Sequence, residues 1–243
     1  FCPKCGNKLP CDCSKEITPL PPLKERVEAE RGERGERVER LTKLSEGLFP
    51  GETNASLRDK IRQSLDVPQW GKYHNEGIYM DTHLDLVVQT VENISNGQFH
   101  PDTPDALKAI LKEAVNADAD DSDKQQRLER FQKYALLHDL AKGDTLKLKK
   151  SDGTTEDISW DKWQEMLPGD LADNPDPVAM EAFLRESDIA SISYFHDGAK
   201  HGNVGADEVE EFGTEVDPLI LAAIRKHESA FSFKNVNATT YGD

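Results

Sequence analysis

The sequence predicts an all-α protein: a helical bundle interrupted by one β-hairpin and preceded by a small Cys-rich head. Three observations carry this prediction. Apolar residues recur at helical spacing in several segments, as in Leu84, Val87, Val88 and Val91. A single stretch changes to a period of two, where Leu146 and Leu148 alternate with lysines, Ser151-Asp152-Gly153 turns and Thr155 to Ile158 returns. All four cysteines precede Ser14.

The chain of 243 residues has room for one sizeable core and a small appendage, or for two small domains. A formal net charge of −16 excludes nonspecific binding to nucleic acid or acidic lipid through the bulk surface, leaving at most a local basic groove. No run of about 18 apolar residues occurs, so no membrane span is expected. The start, Phe1-Cys2-Pro3-Lys4, lacks the apolar segment of a signal peptide, and a cytoplasmic location is expected.

Three regions are expected: a Cys cluster at 1–16, a linker and charged helix at 17–52, and a helical domain at 53–243. Cys2, Cys5, Cys11 and Cys13 are close enough to close one tetrahedral zinc shell, the alternative being a reactive or disulfide-bonded tail. Structural zinc is preferred, and it implies a reducing compartment. The piece Cys2-Pro3-Lys4-Cys5-Gly6 resembles the first half of a zinc ribbon, although the second half arrives early as Cys-x-Cys.

After the Pro-rich stretch at 17–22, the segment 23–47 carries Glu/Arg repeats with large apolar residues only at Leu23, Val27, Val38, Leu41 and Leu44. Opposite charges three and four apart support a helix, and Gly32 and Gly35 weaken it. A solvated helical linker is expected, in preference to a nucleic-acid arm, because the charges nearly cancel. Further helices are expected at 57–65, about 81–94, 104–117, 177–192, 204–212 and 218–227. Trp160 and Trp163 are expected to pack the hairpin onto the body.

The chemistry centres on the helix from Asp123, which turns apolar and delivers His138-Asp139 beside Lys142. Imidazole and carboxylate are the ligands of Zn, Mn, Fe and Ni sites. Three further histidines stand at helix ends: His83, His201 in His-Gly-Asn-Val-Gly-Ala, and His227 before Glu228. His138-Asp139-Leu140-Ala141-Lys142, with His74-Asn75-Glu76-Gly77 ahead of His83, resembles the HD superfamily of metal-dependent phosphohydrolases. The segment from His74 to His83 is similar in particular to HD domains attached to tRNA nucleotidyltransferases, the His201 segment to that of larger HD hydrolases, and His227 before Glu228 to the fifth family position.

The resemblance covers about Trp70 to Glu228 and implies an HD-type bundle. His83, His138, Asp139, His201 and His227 would hold one or two divalent ions (Mn, Fe, Ni, Zn or Mg). Asp139 would bridge the ions or orient water, Lys142 would hold a phosphoryl oxygen, and Glu76 would protonate a leaving group. For two metals, none of Asp188, Asp197 and Asp243 suits the last carboxylate of the family pattern, which would then lie after Asp243; for one metal, Asp188 is the choice. His196-Asp197-Gly198-Ala199-Lys200 is expected at the rim with His74, and His100 on the surface. The implied function is hydrolysis of a phosphate ester, by a phosphodiesterase or phosphatase acting on a nucleotide or nucleic acid. The alternatives are a non-catalytic regulatory or binding module with a degenerate HD site, and a zinc-organised adaptor. A protein partner is expected through the zinc head.

Overall fold

The computed structural model describes residues 23–71, 76–115, 121–144, 146–196 and 199–227. Cys2, Cys5, Cys11, Cys13, His74, Asp197 and Asp243 lie outside the described residues, and the zinc-ribbon expectation with them. The helices are α1 (Leu23–Leu48), α2 (Ala55–Ser64), α3 (Met80–Ser95), α4 (Asp105–Val115), α5 (Asp121–Leu137), α6 (Trp160–Met166), α7 (Pro177–Glu186), α8 (His201–Glu211) and α9 (Pro218–Lys226). A 3-10 turn, Leu140–Lys142, follows α5. The strands are β1 (Leu146–Lys150), β2 (Thr155–Ile158), β3 (Ile189–Ser193), β4 (Phe195–His196) and β5 (Ala199–Lys200). No helix of the described residues is long and apolar enough to cross a membrane.

The α-helical expectation is correct in the main and incomplete in one place. The hairpin gains a third strand, giving the antiparallel order β2-β1-β3, with Leu148 facing Glu156 on one side and Ile192 on the other. The helix expected at 177–192 stops at Glu186, and Asp188 turns the chain with a φ of 56°. Ile189 and Ile192 are three apart, a helical spacing, yet both are buried in a strand. The β1–β3 register shifts between Lys149 and Lys150, and the extra residue of that bulge returns both isoleucines to the covered face.

One core joins the elements. Leu41 of α1, Leu57 and Ile61 of α2, Leu84 of α3, Leu136 and Leu137 of α5 and Ile224 of α9 are all buried. Trp163 is fully buried against Phe183, with ring centroids 5.8 Å apart, and so secures α6 to α7.

The charged helix α1 is not a solvated linker. Its glutamates at 30, 33 and 36 face solvent, but Arg34 and Leu41 are buried. Arginines three apart form a ladder on carboxylates of other elements. Arg31 pairs with Asp176, which also caps α7 by accepting from the Ala179 N–H. Arg34 pairs with Asp66 at 2.5 Å, Arg37 with Asp81 at 2.9 Å and Arg40 with Asp85 at 2.9 Å. Burial raises the Asp81 carboxyl above its usual range, and Arg34 and Arg37 oppose that shift. Arg37→Ala should therefore cost about 2–3 kcal/mol by leaving Asp81 with only the more distant Arg34. Arg40→Ala, at a half-exposed rung, should cost about 0–1 kcal/mol. Urea unfolding of the two variants checks this ordering.

A second polar joint lies beside the 3-10 turn. Lys60 of α2 pairs with Asp144, and its Nζ lies 3.8 Å from the Glu208 carboxylate of α8. Burial, then the neighbouring Asp144, pushes the Glu208 carboxyl up to about 7. A carboxyl that holds its proton more tightly in the folded state than in the unfolded one loses stability as pH rises from its unfolded value to its folded one. Relative to wild type, Glu208→Gln should gain stability progressively between about pH 4.5 and 7 and level off above that. Unfolding midpoints measured across that range would sink this account if the difference were flat.

Candidate metal centre

Four segments converge on Asp139. Helix α5 ends at Leu137, though the His138 N–H still donates to the Tyr134 carbonyl at 2.9 Å. Asp139 then leaves helical geometry, with φ −115° and ψ 18°, as the chain enters the 3-10 turn. His83 sits in the first turn of α3, whose start is held where the Met80 N–H donates to Val67. His201 opens α8 and His227 caps α9.

The side chains form two triads that share one carboxylate: His83, His138 and Asp139, and Asp139, His201 and His227. In the first, the Nε2 atoms of His83 and His138 are 3.2 Å apart, and they lie 3.2 and 3.0 Å from Asp139 Oδ2. In the second, the Nε2 atoms of His201 and His227 are 3.0 Å apart, and they lie 3.0 and 3.4 Å from Asp139 Oδ1. Each carboxylate oxygen thus serves its own pair of imidazoles. Donors about 2.0–2.2 Å from a common ion in tetrahedral or octahedral arrangement lie roughly 3.0–3.4 Å apart, so this donor set fits divalent ions in both triads.

The imidazoles are aimed from behind. The Nδ1–H of His138 donates to the Ala135 carbonyl at 3.0 Å, and that of His227 to the Ile224 carbonyl at 2.6 Å. His83 Nδ1 lies 3.2 Å from the Glu76 carboxylate. Such partners fix the tautomer that leaves Nε2 free to bind a metal. Burial lowers the basicity of His138, which favours the neutral ligand form. Burial alone would raise Asp139; its contacts with His138, the charge of Lys142 and its contact with His201 hold it well below the usual carboxylate range.

Lys142 donates to Asp139 Oδ2 at 2.8 Å and lies 4.8 Å from the centre of the Tyr194 ring. Tyr194 itself is buried, donates to the Pro68 carbonyl at 2.8 Å and meets His201 edge-on at 6.0 Å. Tyr134 stacks on His138 at 5.4 Å. Burial, then Asp139, raises both phenols. These two tyrosines are additions to the expected site. Tyr134 lies one helical turn before His138 and was accessible to a spacing argument; Tyr194 arrives through tertiary packing alone.

One glycine brings α8 against α9. A Cβ on Gly202 would lie 2.7 Å from the Ile224 carbonyl oxygen and 2.9 Å from the His227 ring, so only glycine admits that histidine. Gly205 faces Ala141 in the 3-10 turn. His83 and Glu76 are the more exposed members, with 28% and 20% of their side-chain surfaces accessible, and mark the open side.

All five expected His/Asp positions are brought together, with Lys142 and Glu76 beside them. Asp188 is not: it is exposed in the turn before β3 and joins neither triad. His100 is exposed, as expected. Comparison with protein-family models, curated proteins and solved structures finds no match to the chain.

Asp139→Asn should abolish metal retention in both triads, whereas His83→Ala and His227→Ala should each impair one. Gly202→Ala should reproduce the His227→Ala loss by displacing that ring. Metal per folded chain, measured by mass spectrometry after loading and desalting, tests all four variants.

Proposed function

We propose that the chain is a metal-dependent phosphohydrolase of the HD type, hydrolysing a phosphate ester of a nucleotide or nucleic acid. The observation that carries this reading is the division of one buried carboxylate between two histidine pairs, with Lys142 on the same group. Divalent ions bound there would polarise a phosphoryl oxygen and acidify water towards neutral pH.

The protein's own contributions follow from its geometry. Asp139 stays anionic and sets the spacing of the two triads. The carbonyls of Ala135 and Ile224 keep His138 and His227 in the ligating tautomer. Glu76 orients His83 from the open side, a role that its position favours over leaving-group protonation. Lys142, held over Tyr194, places positive charge where phosphoryl oxygens would gain it in the transition state. Zinc bound by Cys2, Cys5, Cys11 and Cys13 in a reducing compartment belongs to the same proposal, on their spacing alone.

A second reading, a non-catalytic module that binds phosphate compounds, is favoured by one observation. Among the described residues, neither triad contains a carboxylate besides Asp139. Hydrolysis of nitrophenyl phosphate mono- and diesters by manganese-loaded protein separates the two. The expected result is turnover that Asp139→Asn abolishes and that Lys142→Met lowers about a hundredfold in kcat with metal retained. Metal loading and phosphate binding without turnover of either ester class would overturn the hydrolase in favour of the module.

A further inference from the structure

Helix α8 lies along the turn that follows α5, and three residues of one helical face meet that turn in order. His201, Gly205 and Glu208 follow one another at the spacing of a single helical stripe. His201 Nε2 lies 3.0 Å from Asp139 Oδ1, a Cβ on Gly205 would touch Ala141, and Glu208 faces Asp144. The turn between these points is short and internally bonded. The Lys142 N–H donates to the Asp139 carbonyl at 3.1 Å, and the Asp144 N–H to the Ala141 carbonyl at 3.0 Å. One end of the stripe is at the metal centre, and the other is at a pair of carboxylates.

Lys60 is the cation that reaches both members of that pair. It bonds Asp144, and its Nζ stays 3.8 Å from Glu208 Oε2, outside hydrogen-bonding distance. Glu208 Oε2 is buried and accepts no hydrogen bond among the described residues. Such an environment penalises an ionised carboxylate and suits a protonated one whose hydroxyl donates to Asp144. Glu211 on α8 itself also faces Glu208, with repulsive charge. Of the other helices packed on α8, α9 turns Arg225 to Asp207 and Glu210, and α5 turns Arg130 to Asp217. With both carboxylates ionised, one ammonium would have to serve two anions in a partly buried place. A carboxyl pushed up to about 7 makes that change near neutral pH.

We propose that Lys60, Asp144 and Glu208 form a proton-operated latch on the metal centre. One proton shared by the two carboxylates holds α8 against the turn, and its loss separates them and loosens the helix that carries His201. Rising pH then weakens metal retention by Asp139, His201 and His227, against the usual gain as imidazoles deprotonate. The latch rests on the metal centre of the proposed hydrolase and not on turnover.

Glu208→Gln keeps a neutral hydrogen-bond donor at every pH and is the reference. Wild type and this variant are compared at equal pH, so that imidazole protonation and the chemistry of amide exchange cancel. In the full chain without added metal, hydrogen–deuterium exchange of 201–211 should match in the two proteins at about pH 5.5. At about pH 8 it should be about threefold to tenfold faster in wild type. Manganese affinity, read from the EPR signal of the free ion, should follow: equal at the lower pH, about threefold to tenfold weaker in wild type at the higher. Asp144→Asn should lose the same pH dependence, which a merely local effect of the glutamine would not produce. A constant ratio between wild type and Glu208→Gln in either readout would overturn the latch. Manganese bound at neither pH would overturn the metal centre and the latch together, whereas binding without turnover of any ester would count against hydrolysis alone.

Discussion

A carboxylate with almost no exposed surface is the constraint on which the centre of this protein depends. An ion taken out of water costs several kcal/mol unless charge and hydrogen bonds replace the lost hydration. Asp139 meets that condition with four imidazoles and one ammonium from α3, the end of α5, the 3-10 turn, α8 and α9. The surrounding backbone answers the same need. Gly202 brings α8 against α9, and carbonyls one helical turn back hold two of the rings. Tyr194 closes the base, with its ring under Lys142 and its hydroxyl tied to the segment ahead of α3.

The same chain handles its other buried acids differently. Asp81 and Asp85 on α3 face the arginines of α1, and the pairing replaces hydration with guanidinium contacts. Helix α3 therefore carries a histidine of the Asp139 cluster near its start and two buried carboxylates that anchor α1. The Glu/Arg-rich helix α1 is part of the domain's structure. Its arginines neutralise acids that would otherwise have no reason to be inside.

Helices with regular apolar spacing were legible from the sequence, as was the hairpin with its Ser-Asp-Gly turn. The histidines were legible because each stands at a helix end beside an identifiable short motif. The β3 strand was hidden by a bulge that gives Ile189 and Ile192 a helical spacing, and bulges depend on the partner strand. The docking of α1 was hidden because apolar periodicity does not register a face held by arginine. Its partners are as far as 145 residues away in the chain. Tyr194 was hidden for the same reason, since its contacts with Pro68, Lys142 and His201 exist only after folding.

The three-residue interval of the arginine ladder has a geometric consequence. A helix turns about 100° per residue, so rungs three apart step back by about 60° each, and the four rungs from Arg31 to Arg40 sweep about half a circumference. The stripe coils around α1, which is how one helix addresses the start of α7, the end of α2 and the length of α3. What the helix transmits is phase. Changing one rung alters the contacts of that arginine alone, whereas inserting or deleting one residue between Arg34 and Arg37 would swing every later rung by about 100° and detach two arginines together. A change of length in this segment is therefore costlier than a change of any one rung.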